Sequence, residues 1–95
     1  TDFNDYIETV GAQNLGEVLE AAASYMAFIE GQDAFSRPQL MSKLQGTDHA
    51  ATSREDRLRS FGQLLRAGKI RKLGGGQFEA SEQIAYRPEK RASGG

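Results

Sequence analysis

The stretch that decides the fold is residues 52–80, Thr52-Ser-Arg-Glu-Asp-Arg-Leu58-Arg-Ser-Phe61-Gly-Gln-Leu-Leu65-Arg-Ala-Gly68-Lys-Ile-Arg-Lys-Leu73-Gly-Gly-Gly76-Gln-Phe-Glu-Ala80. Thr52 and Ser53 are each followed three positions on by an acid, Glu55 or Asp56, so either pair can form a reciprocal capping box. Leu58, Phe61, Leu64 and Leu65 recur at three- and four-residue spacing and line one helical face. Gly68 stands where a left-handed residue closes the helix, with Ile70 two beyond to pack back on the last turn. Residues 69–73 and 77–80 flank Gly74-Gly75-Gly76, a pattern that suits two strands joined by a tight turn needing positive φ.

Working outward, Phe3, Tyr6, Ile7 and Val10 predict a short first helix ending near Gly11. Asn14 and Glu17 offer another capping box. After them Leu15, Val18, Leu19, Ala22, Tyr25, Met26 and Ile29 form a wide apolar stripe that Gly31 terminates. Ser36 caps a shorter helix, with Gln39 at the capping-box position, Pro38 in the first turn, and Leu40, Met41 and Leu44 facing inward. Residues 46–51 are the turn into the 53–67 helix. Ile84 and Tyr86 pack once more, and residues 87–95 have the composition of a flexible tail or linker. These assignments predict one domain over residues 1–86, mainly α with a small β-hairpin.

The 36–44 helix, the 53–67 helix and the 69–81 hairpin together resemble the winged helix-turn-helix superfamily. That resemblance implies three core helices plus a wing, with a short extra helix at the N-terminus. It also implies that the third helix enters the major groove of DNA and the wing lies along the backbone or minor groove. On this chain the outward face of that helix holds Asp56, Arg59, Ser60, Gln63 and Arg66 at 100° per residue. Arg59 and Gln63, one turn apart, are types that bond guanine and adenine edges in pairs. Arg66, Lys69, Arg71 and Lys72 are placed to neutralise phosphates, and Arg54, Arg57 and Ser60 complete the candidate DNA-binding set.

Charge distribution bears on that reading in both directions. Net charge is −1, yet residues 1–35 carry Asp2, Asp5, Glu8, Glu17, Glu20, Glu30 and Asp33 with no Lys or Arg, while residues 54–72 hold seven cations against Glu55 and Asp56. The basic end can meet a polyanion or an acidic protein. Asp56 at the exposed helix start and a pI near 5.8 pull against DNA. The alternative is a protein-interaction or adaptor domain of a larger regulatory protein, with Tyr6, Phe35 and Tyr86 as exposed contact candidates; pairing of two copies as a homodimer is open under either.

Other classes find little support. Cysteine is absent, so no disulfide framework, thiol nucleophile or zinc knuckle is available, in keeping with a reducing cytoplasmic setting. No run approaches the roughly twenty apolar residues of a membrane span. His49, the single histidine, lies in the 46–51 turn beside Asp48, where a solvated side chain is the ordinary outcome. The three glycines lack the Lys-Ser or Lys-Thr of a phosphate loop. No catalytic residue, metal site or cofactor is expected. The chain opens on Thr1 rather than Met, which predicts a piece of a longer protein.

Overall fold

The computed structural model describes residues 2–86. Over these residues it is a helix-rich fold of four α-helices and a three-stranded antiparallel sheet. Helix α1 (Phe3–Val10) starts where the Asp2 side chain accepts the Asp5 N–H and stops at Gly11, φ 76°. Helix α2 (Leu15–Ser24) is capped by Asn14, which accepts the Glu17 N–H; the Glu17 carboxylate reaches back to the N–H of Gln13 instead of the cap residue. Helix α3 (Arg37–Ser42) has the full capping box of Ser36 and Gln39. Helix α4 (Arg54–Arg66) takes Ser53 as its cap, and Thr52 instead donates to the His49 carbonyl in the preceding turn.

Strands β2 (Ile70–Gly74) and β3 (Gln77–Ala80) form the expected hairpin. Gly75 and Gly76 have φ of 62° and 78°, the two positive values that a two-residue hairpin turn with the right twist requires. Lys72 pairs with Phe78 and Gly74 with Gln77, which leaves Leu73 as a bulge residue. A third strand completes the sheet. Phe35 and Ser36 (β1) pair with Phe78 and Gln77, giving the order β1-β3-β2. Two residues are too short to show a period, so this strand has no sequence signature; its pairing anchors the start of α3 to the hairpin.

Helix α2 is the centre. Every residue from 18 to 26 is buried, not only the predicted stripe, because α1, α3, α4 and β3 all pack on this helix. Ala21, Ala22 and Ala23 have no exposed surface, and their small side chains let neighbours approach from several sides. The helix ends in a π-helical turn, Tyr25–Ile29, in which the Glu30 N–H donates to the Tyr25 carbonyl at 2.9 Å. Hydrogen bonds that reach five residues back instead of four widen the turn and shift the helical phase at its C-terminal end, so Ile29, expected on the inward stripe, is 44% exposed. Gly31, φ 69°, then closes the helix as expected.

Two aromatic groups organise the core. Phe3 and Tyr6 of α1 each lie 5.4 Å from the Tyr25 ring, and Phe61 meets Phe78 edge-on at 4.9 Å. Tyr6 and Phe35, expected as exposed contact candidates, are both buried in this core. Residues 81–86 return across α2. Ser81 bonds the Gly68 carbonyl, Ile84 is buried, the Ala85 N–H donates to Glu20 at 2.6 Å, and Ser24 donates to the Tyr86 carbonyl. The expected tail, 87–95, lies outside the described residues. Among the described residues no helix is long and apolar enough to cross a membrane.

Candidate nucleic-acid interface

Helix α4 and the hairpin position the predicted cations. Gly68 adopts φ 76°, so the chain reverses at the end of α4 and sends β2 back beside it. The Lys69 N–H donating to the Leu64 carbonyl at 2.9 Å seals that reversal. Helix and hairpin are thus held in a fixed relation by a glycine and one long-reach backbone bond.

Six of the nine candidate residues fall into two environments. Arg54, Arg57 and Lys72 line an open groove of ≈ 1020 Å³ between α3, α4 and the hairpin. Ser60, Gln63 and Lys69 lie instead along the opposite flank of α4, in a smaller recess shared with Glu17 and Glu20 of α2. Arg59 and Arg66 stand exposed between these flanks, two turns apart on one face, and Arg71 is exposed on β2. The basic residues are not one patch.

Several of them already have partners. Arg57 donates through Nε to Thr52 Oγ1 at 3.0 Å and through Nη2 to the Ala50 carbonyl, so it ties the 46–52 turn to α4. Lys69 pairs with the buried Glu20 at 3.3 Å. Arg59 pairs with Asp56 at 2.9 Å and Arg71 with Glu79 at 3.0 Å, but these guanidinium groups remain more than half exposed and such pairs exchange readily for a stronger anion. Among the described residues no carboxylate pairs with Arg54, Arg66 or Lys72.

Two residues of this region lie outside the site candidates named from the sequence. Arg37, at the first position of α3, lines the groove and holds its guanidinium 5.5 Å from the centre of the Phe61 ring. Leu58, placed on the inward face by spacing, is 39% exposed and forms part of the groove wall. Spacing cannot separate the two, because the apolar arc of α4 is wider than the contact α2 and the sheet make with it. Phe61 and Leu64 take the buried centre, while Leu58 and Leu65 are left towards the groove.

His49 is half-buried in the turn, and its N–H bonds Thr47 Oγ1 at 3.1 Å. Among the described residues no cluster of three or more His, Cys, Asp or Glu could hold a metal ion. Comparison with protein-family models, with curated proteins and with solved structures finds no match to this chain.

Proposed function

We propose that this chain is a winged helix-turn-helix domain that binds duplex DNA, with α4 in the major groove and the hairpin along the sugar-phosphate backbone. The supporting observation is the set of exposed cations on two rigidly joined elements: Arg54, Arg59 and Arg66 on α4, Arg71 and Lys72 on β2. A duplex presents phosphates to both elements at once, and Arg54, Arg66 and Lys72, which have no carboxylate partner among the described residues, neutralise them at no cost in broken ion pairs. Arg59 and the exposed Gln63 are the base-edge candidates. Arg57 and Lys69 support the fold through Ala50 and Glu20, and Ser60 is half-buried, so these three contribute less.

The test is a titration of mixed-sequence duplex into isotope-labelled protein at low and at moderate salt. Amide shifts should gather on residues 53–77 and fade as salt rises. Arg66→Ala and Lys72→Ala should each lower the salt slope by about one, whereas Arg59→Ala and Gln63→Ala should relax base preference by ~1–3 kcal/mol. No duplex binding even at low salt would remove the proposal. The second reading, an adaptor domain, is favoured by one observation, the apolar character of the groove beside α4.

A further inference from the structure

The groove between α3, α4 and the hairpin has an apolar floor lined by Met41, Leu58, Phe61, Leu65 and Phe78. Phosphate and sugar have little use for such a floor. Its rim is cationic, with Arg37, Arg54, Arg57 and Lys72, and among the described residues no Asp or Glu lines it. Apolar floor and one-signed rim are the two halves of a surface that recognises an amphipathic partner of opposite charge.

A third observation is independent of these. Gly62 sits in the middle of α4 and lines the groove. Glycine inside a helix is unfavourable relative to alanine by about 1 kcal/mol. Apart from its chain neighbours and the backbone of α4 itself, no atom of the described residues lies within 4 Å of where a Cβ would stand at Gly62, and its φ is not among the positive ones. The fold therefore gives no reason for glycine there. A bare helix backbone is useful when another helix must approach closely, since the distance between axes is set by the side chains at the crossing.

We infer that this groove takes an acidic amphipathic helix of a partner protein, its apolar face on Leu58 and Leu65, its carboxylates on Arg37, Arg54 and Lys72, and its backbone crossing α4 at Gly62. An extended segment is the poorer occupant, because it would pair with the open edge of β2 and make no use of Gly62. Arg54 and Lys72 serve both this surface and the proposed duplex contact, so helix and DNA exclude one another. The partner helix thereby controls DNA occupancy.

The test uses the whole chain and two fluorescein-labelled peptides of about five helical turns. One carries Leu and Phe at i, i+3, i+4 and i+7 with Glu on the flanks; the other has the same composition scrambled. The patterned peptide should bind at least tenfold tighter than the scramble. Leu58→Glu should weaken it at least tenfold, and Leu73→Glu, an exposed apolar position outside the groove lining, should leave it within twofold. Gly62→Ala should raise the melting midpoint by about 3–6 °C while weakening the peptide about fivefold, opposite signs that no loss of folding can produce. Equal binding of both peptides, indifference to Leu58→Glu, or unchanged affinity in Gly62→Ala would overturn the inference. Unlabelled duplex added to the peptide complex should displace the peptide. Peptide binding by a chain that binds no duplex would uphold the docking site and remove the DNA reading alone.

Discussion

The two flanks of α4 are built from one helix yet have opposite characters. Towards α2, the charged groups are engaged: Lys69 and the Ala85 N–H both fall on the Glu20 carboxylate, while Leu64 is buried beside them. Towards the hairpin, Leu58 is exposed, Gly62 leaves the backbone bare, and Arg54 and Lys72 have no carboxylate partner among the described residues. A flank with its groups satisfied holds the fold. One with unsatisfied cations and uncovered apolar surface is poised to bind, and binding at that flank costs the core nothing.

If that division is right, mutations on the α2 flank should act on stability and those on the groove flank mostly should not. The largest effect is expected from Leu64→Ala, about 2–5 kcal/mol in a denaturant melt, because a nearly buried leucine leaves a cavity. A loss below about 1 kcal/mol would mean that α4 is not seated on α2 as described. Glu20→Ala should cost about 1–3 kcal/mol, since it strands the Ala85 N–H and the half-covered Lys69 ammonium together. Hydrogen exchange at Ala85 is the direct readout, and protection unchanged in the variant would show that residues 81–86 are held by something else.

Gly68→Ala should destabilise by about 1 kcal/mol, the cost of a Cβ at φ 76°. The nearest atom to that Cβ is Gln83 Cγ at 3.8 Å, an ordinary contact, so the cost is conformational and a bulkier neighbour is not needed to explain it. Leu58→Ala sharpens the contrast from the other side: at 39% exposure it should cost under about 1 kcal/mol, well short of Leu64→Ala. Comparable losses from the two would erase the distinction between flanks.

The smallest effect is alkaline. Burial first, then the charges of Glu17 and Glu20 and the neighbouring Tyr6, push the Tyr86 phenol above its ordinary 10.0. The unfolded chain releases that proton at about pH 10 while the folded chain still holds it, so this contribution is intact below about pH 10 and declines as pH rises through the raised value. Tyr86→Phe should flatten that part of the decline in melts across the alkaline range. Superimposable curves for the two proteins would show that the residue is as solvated folded as unfolded.

Local structure was legible because its causes are local. Ser36 with Gln39, Ser53 with Asp56, and the positive-φ positions Gly11, Gly31 and Gly68 place helix ends by bonds and sterics spanning a few residues. The Gly75-Gly76 turn sets the hairpin in the same way. Candidate cations could be named, but not sorted. Whether Lys69 reaches solvent or a buried carboxylate depends on Glu20, far away in the chain, and nothing near Lys69 marks it.

What the amino-acid sequence by itself determined is therefore the run of helices and the hairpin, where each begins and stops, and the separation of acidic from basic ends. Tertiary structure alone decided that Phe35 leaves a loop to pair with Phe78, that Tyr6 is enclosed, that α2 is covered on all sides, and that α4 carries one closed flank and one open. The reason is physical. Caps and turns are settled by atoms that chain connectivity already keeps together, whereas strand β1, the Glu20 pairing and the groove exist only once remote segments have been packed onto a common core.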